Sequence, residues 1–222
     1  DEAEKTKYSE AGYTNIFDAK DATGNKVNVY NYRPDVEKKV TDRKGNSGKE
    51  ADYNIGDSVP YVVTVKVPKN IVSLKKFSID DTPTNLEDDS ASVKVYKDGS
   101  EVTGFYDVTP NGNGFTISFT PSLMSGYEGE TLTIKYNAKL LNSASVDAAG
   151  NSNAVKLHYS NQILPTTIPG EEPTPTENTI EDTTYVYTFR IDIVKTAENK
   201  TTRLGGVVFD LYKQVKTSKL TT

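Results

Sequence analysis

Cysteine is absent from the 222 residues, which excludes disulfides, thiolate catalysis and cysteine-held metal together. Tryptophan is absent as well, and histidine occurs once, at His158, so hydrolytic triads and zinc sites lack their parts. Hydrophobic residues make up only 35% of the chain, and no apolar run approaches the roughly 18 residues of a membrane span. No signal peptide opens the sequence, so an exported protein would be represented here by a processed piece. Basic residues number 26 against 31 acidic ones, a net charge of -5, which leaves no positive surplus for nucleic acid. Neither metal nor cofactor is expected.

What the chain does contain is alternation with period two. Val59, Tyr61, Val63, Val65 and Val67 form one stripe, and Leu132, Ile134, Tyr136, Ala138 and Leu140 form another. Val93 with Val95, and Phe115 with Ile117 and Phe119, repeat the pattern on a smaller scale. Between them lie hairpin-type turns, Asp98-Gly99 and Asn111-Gly112-Asn113-Gly114. This predicts an all-β, immunoglobulin-like sandwich, with no long helix and one short helical turn within residues 121–126.

Two joints divide the chain. Residues 1–33 are polar and weakly patterned, and read as the tail of a preceding domain or an N-terminal linker. Pro34 then sets an extended entry into residues 34–162, a stretch long enough for one independent sandwich. A segment with Pro165, Pro169, Pro173 and Pro175 follows and reads as an extended linker over 163–180. Residues 181–222 then read as the incomplete start of a second β domain, with Tyr185, Tyr187, Phe189, Ile191, Ile193 and Lys195 on one face.

Three polar residues fall in step with apolar strand faces. Lys38 shares its parity with Val36 and Val40, Asp81 with Phe77 and Ile79, and Asn153 with Val155, Leu157 and Tyr159. Side chains of a strand alternate faces, so all three are expected to point into a core, where an unpaired amine, carboxylate or amide costs several kcal/mol. Each also has an ordinary reading: a snorkelling edge-strand lysine, a strand-end carboxylate and a turn-ending amide. Taken together, an amine, an acid and an amide in a dry site are reactants.

The order of short motifs resembles the sortase-assembled pilins and related surface adhesins of Gram-positive bacteria. The matching stretches are Pro34-Asp35-Val36-Glu37-Lys38, Ile55-Gly56-Asp57-Ser58-Val59-Pro60-Tyr61, Val67-Pro68 followed by Phe77-Ser78-Ile79-Asp80-Asp81-Thr82, Ile134-Lys135-Tyr136-Asn137-Ala138, and Gly150-Asn151-Ser152-Asn153-Ala154. The region of Lys195, with Leu204-Gly205-Gly206-Val207-Val208-Phe209-Asp210-Leu211-Tyr212, looks like the first strands of a collagen-adhesin B-type domain. The resemblance covers about residues 28–212.

It implies an intramolecular isopeptide bond between Lys38 and Asn153. Asp81 would be the catalytic acid, polarising the Asn153 carbonyl and shuttling protons as ammonia leaves. Burial is expected to lower the lysine pKa and raise that of the acid, so that a neutral amine and a neutral acid coexist. Lys195 would be a second isopeptide lysine. The resemblance further implies a cell-surface, cell-wall protein that is not an enzyme in the turnover sense. Its partners would be other pilin subunits joined by sortase, with a host matrix or glycan ligand as the adhesin alternative and no insertion into a membrane.

One departure bears on that role. Shaft pilins of this family carry a Tyr-Pro-Lys motif ahead of such a domain, and here the matching place reads Val27-Asn28-Val29-Tyr30-Asn31-Tyr32-Arg33-Pro34. Other candidates read as surface. His158 is out of step with its apolar neighbours and is expected to face solvent. Glu87-Asp88-Asp89 and Glu171-Glu172 read as solvated charge, and Asp80 with Asp81 cannot form a glycosidase pair because adjacent strand residues face opposite ways.

Overall fold

The structure is a computed structural model that describes residues 13–20, 26–160, 177–190, 194–206 and 208. In chain order the strands are β1 (Tyr13–Lys20), β2 (Lys26–Tyr32), β3 (Asp35–Thr41), β4 (Ser47–Gly48), β5 (Glu50–Asp52), β6 (Ser58–Lys66) and β7 (Phe77–Pro83). They continue with β8 (Leu86–Lys97), β9 (Ser100–Glu101), β10 (Tyr106–Asn111), β11 (Gly114–Phe119), β12 (Thr131–Leu140), β13 (Asn151–Ser160) and β14 (Glu177–Tyr187). Two single 3-10 turns, Ile71–Ser73 and Pro121–Leu123, are the helical segments among the described residues, the second falling within the turn expected there.

β1 and β2 form a two-stranded antiparallel sheet of their own. The remaining strands make two six-stranded sheets. Sheet one runs β4-β3-β6-β12-β8-β9 and sheet two runs β10-β11-β7-β13-β14-β5, antiparallel except for β14 beside β5. The stripes face inward as the alternation dictates. Val59, Tyr61, Val63 and Val65 of β6, with Leu132, Ile134, Tyr136, Ala138 and Leu140 of β12, are all at most 2% exposed and build one wall of the core. Phe77 and Ile79 of β7, Phe115 and Ile117 of β11, and Val155 and Leu157 of β13 build the other. The turn signals also act as expected. Asp98 and Gly99 both take positive φ, 49° and 80°, in the two-residue hairpin between β8 and β9. This is the backbone twist that such hairpins favour.

The expected domain limits need one correction. Residues 161–176, most of the expected linker, lie outside the described residues, but β14 is the last strand of the sandwich and pairs with β13 from Asn151↔Val186 to Ser160↔Glu177. Its inward face carries Thr184 and Val186, both 0% exposed. The apolar stripe expected to begin a new core at Tyr185 therefore points outward where it lies on this strand, with Tyr185 37% exposed, and Phe189 just beyond the strand is 75% exposed. The alternation was correctly located, but the buried set is the other parity, because β13 needed a neighbour. A second compact unit begins at Arg190. Within it, Thr196 bridges Arg203 and Ala197 N–H donates 2.9 Å to the Thr202 carbonyl. Lys195 stands there exposed. Ile191 and Ile193, expected on the same face as Lys195, lie outside the described residues.

Candidate functional site

Lys38, Asp81 and Asn153 come together between the two sheets, 0%, 2% and 0% exposed. The amine comes from sheet one, on β3, where Val36 and Val40 flank it on the buried face. Asp81 comes from β7 in the middle of sheet two, paired with Phe115 on one side and Val155 on the other. Asn153 comes from β13, opposite Pro83, and its own carbonyl accepts a hydrogen bond from the Thr184 hydroxyl at 3.2 Å. In each strand the polar residue is inward because its neighbours two positions away are core residues.

A continuous chain of hydrogen bonds joins them. Lys38 Nζ donates 2.6 Å to Asp81 Oδ2, and the Tyr136 hydroxyl donates 2.9 Å to Asp81 Oδ1. The Asn153 side-chain Nδ2 lies 3.2 Å from the Tyr136 hydroxyl and 3.2 Å from Asp88 Oδ1. The walls are aromatic. Tyr61 and Tyr136 stack with centroids 5.3 Å apart, Phe115 meets Tyr136 edge-on at 4.8 Å, and Lys38 Nζ sits 5.1 Å and 5.5 Å from the two tyrosine centroids. Those ring faces attract the ammonium form while excluding water.

Burial pushes the Lys38 ammonium pKa down from its ordinary value, against the attraction of the Asp81 carboxylate. The carboxyl that burial lifts is Asp88, pushed up to about 9 by desolvation and by the neighbouring Asp81 charge. Tyr61 and Tyr136 are raised well above the usual phenol value, again chiefly by burial. Asp88 thus keeps its proton at neutral pH, and a neutral acid sits beside the amide.

Asp88 is the residue that the sequence pattern concealed. It was read as part of a solvated acidic run, yet it is 8% exposed and touches Asn153. On β8, Val93 and Val95 are buried, which by parity would put Asp88 outside. However, β12 pairs Lys135 with Lys94 and then Asn137 with Asp89, so residues 90–93 bulge out opposite Tyr136 alone. Four residues against one shift the parity, and Leu86 with Asp88 becomes the inward pair. The parity of Leu86 was the available signal. Asp88 also borders a surface pocket of about 480 Å³ with Ser58, Glu87 and Lys139.

The other candidates lie elsewhere. Asp80 faces outward from Asp81, and its Oδ2 sits 3.0 Å from His158 Nε2 on the outer face of sheet two, where the histidine side chain is 15% exposed and so more covered than the expected solvent-facing position. Among the described residues no three His, Cys, Asp or Glu side chains cluster as a metal site, and no helix is long and apolar enough to cross a membrane.

No protein-family model and no curated protein matches this chain. Solved structures do. The BcpA major pilin subunit of Bacillus cereus is similar at 17% identity over 79% of this chain and 51% of that one, with a TM-score of 0.56. A C-terminal fragment of the GBS80 major pilin of Streptococcus agalactiae is similar at 19% identity, over 78% and 62%, with a TM-score of 0.60. The T6 backbone pilin of serotype M6 Streptococcus pyogenes follows at 22% identity, over 72% and 37%, with a TM-score of 0.54. The chain spans less than two thirds of each of these structures. It has the immunoglobulin-like sandwich fold of Gram-positive pilin backbone subunits.

Proposed function

We propose that this chain, with the fold of Gram-positive pilin backbones, is a structural segment of a cell-surface pilus or stalk, hardened by a self-formed isopeptide bond between Lys38 and Asn153. The supporting observation is the buried path Lys38–Asp81–Tyr136–Asn153, in which an amine of lowered pKa, a proton acceptor and a carboxamide are linked in an aromatic slot closed to water. Asp81 takes the proton of the Lys38 ammonium and frees its lone pair. Lys38 Nζ attacks the Asn153 carbonyl carbon, Asp81 gives that proton to the departing nitrogen as the bond from the carbon to Nδ2 breaks, and Asp81 then takes the second proton that Nζ sheds and ends the reaction protonated. One C–N bond forms, one breaks, and ammonia is lost. Each molecule reacts once, so the chain matures and does not turn over.

The bond ties β3 of sheet one to β13 of sheet two and closes a loop of about 115 residues. The chain-entropy estimate used for other crosslinks puts its contribution at roughly 4–5 kcal/mol. It also carries tension covalently and resists reducing agents, which suits a wall-anchored protein without cysteine. Polymerisation by sortase with other pilin subunits is the partner relationship this reading implies. The adhesin alternative receives no specific support from the two loops considered for it. Residues 111–114 form a tight hairpin, and Tyr127 packs on Phe105 with centroids 4.6 Å apart.

Intact-mass measurement tests the reading. The native chain should weigh about 17 Da less than its sequence, and Lys38→Ala should restore the full mass. An unchanged native mass overturns the bond. A second loss of about 17 Da, removed by Lys195→Ala, would assign a further bond to Lys195.

A further inference from the structure

Three polar atoms around the reacting amide are buried without a hydrogen-bond partner: Asn153 Oδ1, Asp88 Oδ2 and the Tyr61 hydroxyl. Three such atoms in one cluster mark an arrangement that is not the reactive one, since each would cost about 1–3 kcal/mol. Reversal of the amide exchanges the two Asn153 atoms within that cluster. Its oxygen and nitrogen have nearly the same shape and are told apart only by their partners.

With the carboxamide turned over, Oδ1 occupies the place now held by Nδ2, 3.2 Å from Asp88 Oδ1 and 3.2 Å from the Tyr136 hydroxyl. The nitrogen then takes the place now held by Oδ1, which has no hydrogen-bond partner there. Asp88, carrying a proton, then donates to the carbonyl oxygen from the oxygen that now accepts from the amide nitrogen. Tyr136 donates to Asp81 while that carboxylate is charged. Once Asp81 has taken the lysine proton, the Tyr136 hydrogen is free to swing to the same carbonyl oxygen.

We infer that Asp88 and Tyr136 form a two-donor oxyanion hole for the Asn153 side-chain carbonyl, and that Asp88 is a second catalytic acid distinct from the proton carrier Asp81. This inference rests on the isopeptide reading and divides its labour. As Lys38 Nζ adds to the carbonyl carbon, negative charge develops on Oδ1 and is met by the two O–H donors, in a place with little water to compete. Asp81 moves one proton from the attacking nitrogen to the leaving one and keeps the second that the attacking nitrogen sheds. Asp88 ends the reaction with the proton it began with, and the sum is one amide bond exchanged and one ammonia released. The groups that face Asp88 are Asp81 from β7, Lys38 from β3, Tyr136 from β12, Asn153 from β13 and Tyr61 from β6. Asp81 and Lys38 oppose one another, the first raising and the second lowering its hold on the proton.

The experiment starts from full-length chain bearing a photocaged lysine at position 38, unmasked by light, with the loss of about 17 Da followed by mass spectrometry. Asp88→Asn should slow the loss by roughly 100-fold or more, with the far-ultraviolet circular dichroism of the fold retained. Tyr136→Phe should slow it too. Wild-type linking should slow as the pH is raised through about 9, where Asp88 gives up its proton; this readout needs no variant to fold. If Asp88→Asn links within threefold of the wild-type rate, or the wild-type rate keeps climbing to pH 10, the assignment to Asp88 is overturned while the bond stands. If uncaged wild type loses no mass, the bond itself fails and the assignment with it.

Discussion

Asp182 accepts the backbone N–H of Lys38 at 2.6 Å, although 144 residues separate them. Lys49 completes the arrangement, donating 2.8 Å to the Lys38 carbonyl and pairing with Asp182. The reason lies in the sheet edge. β3 meets β4 only through Val40 and Thr41, so at Lys38 the outer backbone groups have no strand to bond. An ion pair takes the place of the missing strand and fixes the backbone from which the buried Lys38 amine projects.

Asp182→Ala, made in a Lys38→Met background so that no bond can form, should lower stability by about 1–2 kcal/mol in urea titrations near pH 6. Burial works against the Asp182 carboxylate, but hydrogen bonds from Lys49 and the Lys38 N–H hold it below the ordinary range. A carboxyl depressed on folding contributes fully above its unfolded value, about 3.9, and loses that contribution as the pH falls through the lower folded value. The gap between the two proteins should therefore close as the pH drops below about 4. A gap that persists unchanged at pH 2 contradicts the assignment.

Lys38→Met alone leaves the Asp81 carboxyl inside the core with the Tyr136 hydroxyl as donor and no ammonium. An uncompensated buried charge costs more than a neutral isostere of the same shape. The double variant Lys38→Met/Asp81→Asn should thus be more stable than Lys38→Met, by about 1–3 kcal/mol. A double variant less stable than the single would show that Asp81 is held by something other than the amine.

Asp88 supplies the alkaline side of the same experiment. Its folded pKa is raised to about 9 by burial first and by Asp81 second, so the unfolded chain releases this proton well before the folded one does. Stability of the unlinked Lys38→Met chain should consequently fall as the pH rises from about 4 towards about 9. Asp88→Asn in that background should flatten the slope over this window. Identical pH profiles for the two proteins would sink the buried, protonated state of Asp88.

Period two exposed most of this architecture, because β6 and β12 bury one face without interruption and β13 does so from Asn151 to Leu157. The same regularity made Lys38, Asp81 and Asn153 conspicuous. It failed where the period itself is broken. The four-residue bulge at 90–93 is invisible to parity counted from Val93, so Asp88 passed for surface charge. Asp182 and Lys49 were equally hidden, since a side chain that serves another strand's backbone leaves no trace in hydropathy. β14 was misassigned for a different reason: alternation identifies a strand and not the sheet it joins, and a proline-rich stretch stood between it and β13.

Gly114 is required by Asp81. A Cβ at residue 114 would lie 2.0 Å from the Asp81 carbonyl oxygen and 2.9 Å from Pro83 Cδ, contacts that force β11 and β7 apart. Gly114→Ala should cost about 1–3 kcal/mol and leave a measurable fraction of unlinked chain in the intact-mass spectrum, because the displaced strand carries the acid. Gly99→Ala is the matched control. It has open space but a φ of 80°, so it should cost about 1 kcal/mol and link fully.

Mechanical extension separates the covalent loop from the strands outside it. With Lys38 joined to Asn153, residues between them are shielded from tension applied to the chain ends, whereas β14 follows the loop and is held by its ladder to β13, its short parallel pairing with β5 and the Asp182 contacts. Pulling should therefore detach β14 without lengthening the loop. In Lys38→Ala the loop becomes extensible and should add roughly 400 Å of contour length, at about 3.3–3.6 Å per residue. A native chain that releases this length under the same load would mean that tension does not run through the bond, whatever the mass shows.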